Sequence, residues 1–363
     1  MTAPSTNPPL RVVQWATGNI GTRSLRAVLE HPELELVGVY VTNPDKVGRD
    51  AGELAGTGSV SGVLATDDVD AVLALGADVV LYMPLLGDWD HVTRLLAAGT
   101  NVVTTRGEFH HPASLDPGLR ERIEAACAVG GTSIHSTGIS PGFITEAVPL
   151  VLTSILRRLD SVTIDEYANL AARDSPDLLF GIMGFGKDPA ELGGPELRAA
   201  HLEQSFGPSL RVTAEALGLP IDSFTASGEF GLATRDVEIA AGTIRAGTVA
   251  GQRMTVSGLH DGREIIRFRA NWYCTTETDV DWELLATGWR VRVAGDTPLD
   301  VRLEFDFPLE EMAQRSPGYT AHRAVNAVSA VHAATPGIRT SVDLPQVIAS
   351  LGPRRPSTSE ETP

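Results

Sequence analysis

Residues 10–22, LRVVQWATGNIGT, decide the fold, because they contain an apolar strand, a glycine turn and the start of a helix in that order. The run at 10–15 has the composition of a buried strand, and Leu25, Val28 and Leu29 follow at helical spacing. A strand that leads through a glycine turn into a helix is typical of the first unit of a parallel sheet. The stretch therefore predicts a doubly wound α/β domain.

The same alternation of short strands and helices continues to residue 140. Apolar runs at 34–41, 78–83 and 101–105 predict three more strands. Between the last two runs, Trp89, Val92, Leu95 and Leu96 have helical spacing and predict a helix. Parallel strands joined by helices form a doubly wound sheet that binds ligands at the carboxyl ends of its strands. We therefore expect a Rossmann-type nucleotide-binding domain over residues 10–140.

The pattern changes beyond residue 140, where runs with period two become common. Residues 301–307 are one such run, and this alternation predicts strands that are buried on one face. An α+β domain for substrate binding and dimerisation is expected over residues 141–319. A helix that begins at Thr320 is expected to complete the nucleotide-binding domain with residues 320–345.

The composition is that of a globular protein and narrows the possible partners. The chain has 363 residues, enough for two domains at roughly 150 residues each, and its net charge is −17 at pH 7. A charge of this sign repels nucleic-acid phosphates and anionic lipids, so neither nucleic acid nor a membrane is expected as a partner. Residues 1–9 and 353–363, rich in Pro, Ser and Thr, are expected to be flexible tails.

The two cysteines indicate a reducing compartment. Cys127 and Cys274 are far apart in the sequence and have no spacing typical of zinc ligands. No metal site is therefore expected. The first residues do not have the pattern of a signal peptide, and the expected location is the cytoplasm.

The glycine turn lies where the phosphates of a dinucleotide would meet the N-terminus of a helix. Free backbone N–H groups and the positive end of the helix dipole favour a pyrophosphate at this place. Gly18 leaves room for the phosphates and Gly21 lets the helix pack closely on the strand, whereas Ala16 replaces the first glycine of the usual fingerprint. The alternative is a tight turn that serves packing alone. The expected contact residues are Thr17, Gly18, Asn19, Ile20 and Gly21.

The end of the second strand concerns the choice between NAD and NADP. Sites that prefer NAD usually place an acidic residue here to bind the ribose 2′-hydroxyl. This chain has Thr42 and Asn43 instead, followed by Lys46 and Arg49. A 2′-phosphate would meet no carboxylate, so NADP(H) is the expected cofactor, with NAD(H) as an alternative. Lys46 and Arg49 could equally be solvated loop charges.

The loop after the strand at 101–105 carries a carboxylate, Glu108, on the ligand-binding side of the sheet. A carboxylate near a nicotinamide can take and return protons, and it can stabilise a developing cation such as an iminium. The alternative is an ordinary surface glutamate. His110 and His111 are expected to be exposed by their loop position, where at most one of them could pair with Glu108.

Several linked segments occur in one order along the chain. They are WATGNIG at 15–21, TRGE at 105–108, GISPGF at 138–143, MGFG at 183–186, AVNA at 324–327, PG at 336–337 and DLP at 343–345. Together they resemble the native amine dehydrogenases, relatives of 2,4-diaminopentanoate dehydrogenase whose nucleotide domain is like that of dihydrodipicolinate reductase. The resemblance covers roughly residues 10–345 and rests on more than the glycine turn.

The resemblance implies NAD(P)H-dependent reductive amination of small ketones or aldehydes with ammonia, reversible as oxidative deamination, in a homodimer. It also implies that Glu108 is the catalytic carboxylate. Outside the glycine turn, the expected cofactor-binding residues are Thr42, Asn43, Met83, Pro84, Thr105, Arg106 and Asn326.

The expected substrate pocket combines apolar side chains with a few polar atoms, as a small amine or ketone requires. For each residue taken singly, a place in the core or in a hairpin is an equal alternative. The set is Phe143, Tyr167, Asn169, Met183, Phe185, Trp272 and Thr276.

Two departures from related enzymes narrow the substrate class. The His-His-x-x-Lys motif of dihydrodipicolinate reductases is absent, because His110 and His111 are followed by Pro112 and no lysine. No lysine lies in the segments of the expected pocket either, which favours an amine or ketone without a carboxylate. The alternatives are a carbonyl or imine reductase of other specificity and an NAD(P)-binding sensor without catalysis.

Overall fold

The computed structural model describes residues 8–349. The expected tail at 353–363 and most of the one at 1–9 lie outside this range. The strands are β1 (Leu10–Trp15), β2 (Leu34–Tyr40), β3 (Ala65–Thr66), β4 (Val79–Tyr82), β5 (Asn101–Thr104), β6 (Ser133–Ser136), β7 (Leu159–Asn169), β8 (Ser223–Leu232), β9 (Val237–Ile239), β10 (Gly242–Ile244), β11 (Val249–His260), β12 (Arg263–Tyr273), β13 (Gly288–Gly295), β14 (Leu299–Glu304) and β15 (Gly337–Arg339). The helices are α1 (Asn19–Leu29), α2 (Ala51–Ala55), α3 (Val69–Ala74), α4 (Trp89–Ala97), α5 (Pro117–Gly130), α6 (Val148–Thr153), α7 (Pro195–Ala216) and α8 (Leu309–His332).

The first sheet has seven strands in the order β15-β6-β5-β4-β1-β2-β3, and all of its pairs are parallel. Alternate residues of β1 face opposite layers. Val12 packs in one core with α1, α2 and α8, and Val13 packs in the other with α3, α4 and α5. Helices therefore cover both faces, and the predicted Rossmann-type sheet is confirmed.

Helix α8 differs from the prediction at its N-terminus. It begins at Leu309 and not at Thr320, which lies inside the helix. Pro317 and Gly318 are both unfavourable inside a helix, so the sequence does not indicate a helix before them. In the structure both residues lie inside α8 and are buried. Residues 309–319, the part of α8 that was not predicted, extend the helix beyond the core of the first sheet.

The second sheet has six strands in the order β14-β13-β7-β12-β11-β8. The pair β7–β12 is parallel and the other pairs are antiparallel, so the sheet is mixed. Its apolar face packs against α7 and the segment Ile139–Ala147 in one core, and β9 and β10 form a separate hairpin. The predicted second α+β unit is confirmed.

The opposite face of this second sheet is polar. Asp165 on β7 is 1% exposed and pairs with Arg267 on β12 and Arg292 on β13, at 3.0 and 2.7 Å. The apolar residues of β7, Val162 and Ile164, point to the helical side. Strand alternation therefore gives the sheet one apolar and one charged face. None of the helices within residues 8–349 is long and apolar enough to span a bilayer.

Candidate active site

A cleft of about 480 Å³, here called the strand-end cleft, lies at the carboxyl ends of β1, β2 and β4. Three loops that follow these strands form its walls. Its lining residues are Ala16, Thr17, Gly18, Val41, Thr42, Asn43, Lys46, Met83, Pro84, Leu85 and Leu86. Six of the predicted cofactor residues, namely Thr17, Gly18, Thr42, Asn43, Met83 and Pro84, are therefore brought together in one cleft.

The glycine turn has the geometry that its sequence predicts. Gly18 precedes the first turn of α1 without a side-chain cap, and a Cβ at Gly18 would meet no atom within 4 Å. A Cβ at Gly21 would lie 2.1 Å from the Ala16 carbonyl oxygen, so only glycine lets α1 approach β1 this closely. The uncapped N–H groups of α1 and the open space at Gly18 suit an anionic group.

The two cations behind β2 have different surroundings. Lys46 lines the strand-end cleft, and its Nζ donates to the Thr17 carbonyl and hydroxyl oxygens at 2.8 and 3.1 Å. Arg49 instead pairs with Glu53 at 2.7 Å on the surface. The Asn43 side chain accepts a hydrogen bond from the Asp45 backbone at 2.9 Å and so stabilises the turn. Lys46 is therefore the cation placed to meet a ligand in the cleft.

Glu108 opens a short 3₁₀ turn, Glu108–His110, after β5. Its Oε1 accepts hydrogen bonds from two nitrogens of Arg106, Nε at 3.1 Å and Nη2. Its Oε2 is buried and has no hydrogen-bond partner among the described residues. The Glu108 side chain is 31% exposed. One carboxylate oxygen is thus held by a cation, and the other has no hydrogen-bond partner among the described residues.

Arg106 connects this carboxylate to the strand-end cleft. Its guanidinium also donates to the Leu85 carbonyl and packs over the Trp89 ring at 5.4 Å from the centroid. Leu85 lines the cleft. The guanidinium therefore places Glu108 beside the wall of the strand-end cleft, although Glu108 itself does not line that cleft.

The expectation that His110 and His111 are exposed is wrong. Both are buried, because the 3₁₀ turn folds them under α7 and the segment Ile139–Ala147. His110 Nδ1 lies 2.6 Å from Glu146 Oε1, and His111 Nε2 lies 2.9 Å from Glu215 Oε1. Neither histidine pairs with Glu108.

Glu146 is fully buried at the centre of a polar network. Its carboxylate contacts His110 and accepts hydrogen bonds from Ser209 on α7, at 2.6 Å, and from Ser341 after β15. Burial raises the pKa of Glu146, but the charge of His110 and the hydrogen bonds of His110, Ser209 and Ser341 outweigh it and hold this pKa below its ordinary value. The network connects the loop of Glu108 to both sheets.

A second cavity of about 280 Å³, here called the inner cavity, lies between the start of α1, the second sheet and the N-terminal part of α8. Asn19 and Ile20 line it from the first sheet's side, and Tyr167 and Asn169 line it from β7. Two predicted cofactor residues and two predicted substrate residues therefore share one cavity. Its other lining residues are Ile139, Ser140, Glu166, Ala168, Leu170, Arg173, Thr287, Gly288, Trp289, Phe305, Leu309, Met312, Ala313, Ser316, Pro317 and Tyr319.

The remaining predicted site residues line neither cavity. Phe143 lies beside Arg323, and Thr276 is exposed. Met183 and Phe185 belong to a separate core, in which Phe185 is fully buried. Trp272 donates its indole N–H to Glu166 at 3.0 Å. Thr105 follows β5, Gly21 faces β1, and Asn326 lies half-buried on α8.

The sequence interpretation missed Glu166 and Trp289, which both line the inner cavity. One signal was available, since Glu166 occupies an inward position of an alternating strand, two residues after Ile164 and two before Ala168. A charged residue at such a position is unusual because burial disfavours it. Trp289 lies opposite Glu166 in the β13–β7 register, and this pairing could not be read from the sequence.

Comparison with known proteins gives matches along nearly the whole chain. The family model described as dihydrodipicolinate reductase, N-terminus, matches residues 12–103, and the model of the 2,4-diaminopentanoate dehydrogenase C-terminal domain matches residues 199–359. An amine dehydrogenase of Streptomyces virginiae is 30% identical over 353 residues, covering 93% of this chain and 96% of the relative.

Two further matches also cover more than nine-tenths of this chain. The 2,4-diaminopentanoate dehydrogenase of Acetoanaerobium sticklandii is 24% identical over 376 residues, which cover 97% of this chain and 98% of that protein. The solved structure of an amine dehydrogenase from Mycobacterium smegmatis superposes with a TM-score of 0.74 at 21% identity, covering 94% of this chain and 97% of the other. This structural match supports the fold.

Proposed function

This chain belongs to the amine dehydrogenase family, and we propose from that premise that it is an NAD(P)H-dependent amine dehydrogenase of small ketones or aldehydes. The reaction is reductive amination with ammonia, reversible as oxidative deamination. The observation that carries the proposal is Glu108, a carboxylate beside the strand-end cleft whose Oε2 has no hydrogen-bond partner among residues 8–349. A carboxylate oxygen with free lone pairs is what proton transfer to and from a reacting nitrogen requires.

The strand-end cleft suits a nicotinamide dinucleotide, which would supply the hydride when bound. The N-terminus of α1 with the open space at Gly18 suits the pyrophosphate. Lys46 lies at the same cleft, and Thr42 and Asn43 bring no carboxylate to it, which supports NADP(H) over NAD(H). Asn19, Ile20, Gly21, Thr105, Arg106 and Asn326 remain proposed cofactor residues.

Glu108 is the proposed catalytic residue. Arg106 holds Oε1, which leaves Oε2 for the proton steps. Oε2 takes a proton from ammonium, which frees ammonia to attack the carbonyl carbon, and gives that proton to the carbonyl oxygen. It then takes a proton from the attached nitrogen and gives it to the same oxygen, which leaves as water, and the carboxylate stabilises the iminium that forms. The proposed substrate pocket comprises Tyr167 and Asn169 in the inner cavity, with Phe143, Met183, Phe185, Trp272 and Thr276 as the remaining proposed members.

We also propose that residues 10–140 with 320–345 bind the cofactor and that residues 141–319 bind substrate and form a homodimer. The charged face of the second sheet supports a polar interface, because α7 packs on the other face. Both Cys127 and Cys274 are unpaired, which supports a reducing cytoplasm. The homodimer is tested by size-exclusion chromatography with light scattering, which measures the molar mass in solution. The mass of a monomer would contradict the homodimer.

The proposed activity is tested by following NADPH consumption with a panel of small ketones and aldehydes, with and without ammonium. We expect turnover that requires ammonium and yields the amine. Reduction to the alcohol without ammonium would instead indicate a carbonyl reductase. Cofactor binding without turnover on the whole panel would contradict an enzymatic role.

A further inference from the structure

The inner cavity contains a carboxylate in surroundings that are otherwise mainly apolar. Glu166 points to the helical face of β7, the same face as Val162 and Ile164. Apolar side chains, among them Ile139 and Phe305, line much of the cavity around it. A charge in such surroundings is costly unless it is hydrogen-bonded and neutralised.

Two indoles hold the Glu166 carboxylate in place. Trp272 Nε1 donates to Oε1 at 3.0 Å, and Trp289 Nε1 donates to Oε2 at 2.8 Å. Each oxygen therefore has a neutral donor and still has lone pairs free. These hydrogen bonds fix the direction of the carboxylate, but they bring no positive charge.

The protein provides no cation for this carboxylate within the described residues. No Lys, Arg or His nitrogen between residues 8 and 349 lies within 4.0 Å of Glu166. Arg173 is the other charged residue that lines the inner cavity, and it forms no ion pair with Glu166. The cavity thus has a carboxylate that is oriented and partly desolvated, with room for a small ligand beside it.

We propose that Glu166 is a binding site for an ammonium group of a ligand in the inner cavity. The inference extends the proposed function, because Glu108 is the group that acts on the reacting nitrogen and Glu166 would bind a second nitrogen. The ammonium belongs either to the far end of a diamine or amino-ketone substrate or to free ammonium that the reaction consumes. A compact cation with N–H donors fits a carboxylate whose two oxygens already accept indole N–H groups.

The test is a titration of the apo protein with n-butylammonium chloride, ammonium chloride and n-propanol at constant ionic strength, followed by tryptophan fluorescence. Two of the five tryptophans contact Glu166, so occupation of the site changes their emission. We expect a saturable change with an ammonium ligand and none with n-propanol. Glu166→Gln is expected to weaken binding roughly tenfold to a hundredfold, the range for a hydrogen bond to a charged group.

The matched control is Glu304→Gln, which removes an exposed carboxylate from the edge strand of the same sheet. It is expected to bind as the wild type does. If Glu166→Gln lowers the melting temperature too far for titration, Glu166→Asp provides the second variant. Aspartate keeps the negative charge, but its side chain is one methylene shorter, so the carboxylate lies farther from the ligand. The Glu166→Asp variant should therefore retain part of the affinity.

If n-butylammonium binds more strongly than ammonium, the group bound at Glu166 belongs to a substrate amine. If n-butylammonium binds equally or more weakly, the group is free ammonium. Unchanged affinity in both Glu166 variants, or an equal response to n-propanol, would overturn the inference. Because the titration needs no hydride transfer, it separates the two proposals. An enzyme that is active with amines but binds them independently of Glu166 refutes this site alone, and a Glu166-dependent site in an inactive protein refutes the proposed function alone.

Discussion

The strand-end cleft is lined by three loops that each follow a strand of one sheet, whereas the inner cavity is lined by the start of α1, the stretch after β6, parts of the second sheet and its loops, and α8. In the first, turns that follow β1, β2 and β4 form the walls. In the second, side chains from distant parts of the chain converge, and Glu166 is oriented by two tryptophans on neighbouring strands. Local sequence therefore encodes the first cavity, whereas only the packing of distant segments forms the second.

The largest expected effect separates chemistry from cofactor binding. Glu108→Ala should lower the amination rate by ~10²–10⁴-fold, the usual contribution of one positioned proton-transfer group. NADP(H) affinity should remain nearly unchanged, because Glu108 does not line the strand-end cleft. Steady-state rates at saturating cofactor and a fluorescence titration of NADPH measure the two quantities. A rate within a few-fold of the wild type would remove Glu108 from its role.

The next effect concerns the buried network that joins the Glu108 loop to both sheets. Glu146→Gln leaves His110 without its charge partner and should cost about 3–5 kcal/mol of unfolding free energy. Glu215→Gln is the matched control, since Glu215 is exposed in its pair with His111 and such a pair contributes ~0–1 kcal/mol. Urea unfolding of the three proteins at pH 7 gives the comparison, and equal losses in both variants would contradict it.

The same pair predicts a pH dependence. The folded pKa of Glu146 lies below its ordinary value of 4.5, so its stabilisation is complete above pH 4.5 and is lost as the pH falls further. The stability difference between wild type and Glu146→Gln should therefore shrink as the pH falls below about 4.5. A difference that grows on acidification would show that the Glu146 carboxyl is protonated in the folded protein.

The two glycines of the turn are expected to respond in opposite ways. Gly21→Ala should destabilise the apo protein by about 1–3 kcal/mol, because its Cβ would lie 2.1 Å from the Ala16 oxygen and force the helix away. Gly18→Val should leave the apo melting temperature nearly unchanged, since its Cβ meets open space and its φ of −74° suits any residue. It should weaken NADP(H) binding. Unchanged affinity in Gly18→Val would place the phosphate site elsewhere.

The smallest expected effect concerns cofactor choice. Asn43→Asp would bring a negative charge to the strand-end cleft beside Lys46, so the preference should shift towards NAD through a higher KM for NADPH. The maximal rates should change little, because this end of the cofactor is remote from the hydride. The ratio of kcat/KM for NADPH and NADH is measured at two salt concentrations, and the shift should be smaller at high salt. An unchanged ratio would show that Asn43 does not approach the ribose.

Local patterns were sufficient for the strand-end cleft and for the first sheet. The order of strand, glycine turn and helix at 10–22 is encoded in neighbouring residues, and the strands at 34–41, 78–83 and 101–105 were found within two residues of their ends. Such features depend on hydrogen bonds and periodicity within a few turns of the chain. The family resemblance added the expected catalytic role of Glu108.

Contacts between distant residues decided the rest. Pro317 and Gly318 concealed the first turns of α8, because only burial in the folded protein stabilises a helix through them. His110 became a buried partner of Glu146, which is 36 residues away in the sequence. Glu166 acquired two indole donors from strands that are adjacent only in the sheet. The sequence alone determined which local elements form and where the strand-end cleft lies, whereas tertiary packing determined which charges are buried and which are paired, because desolvation depends on neighbours that the sequence does not place.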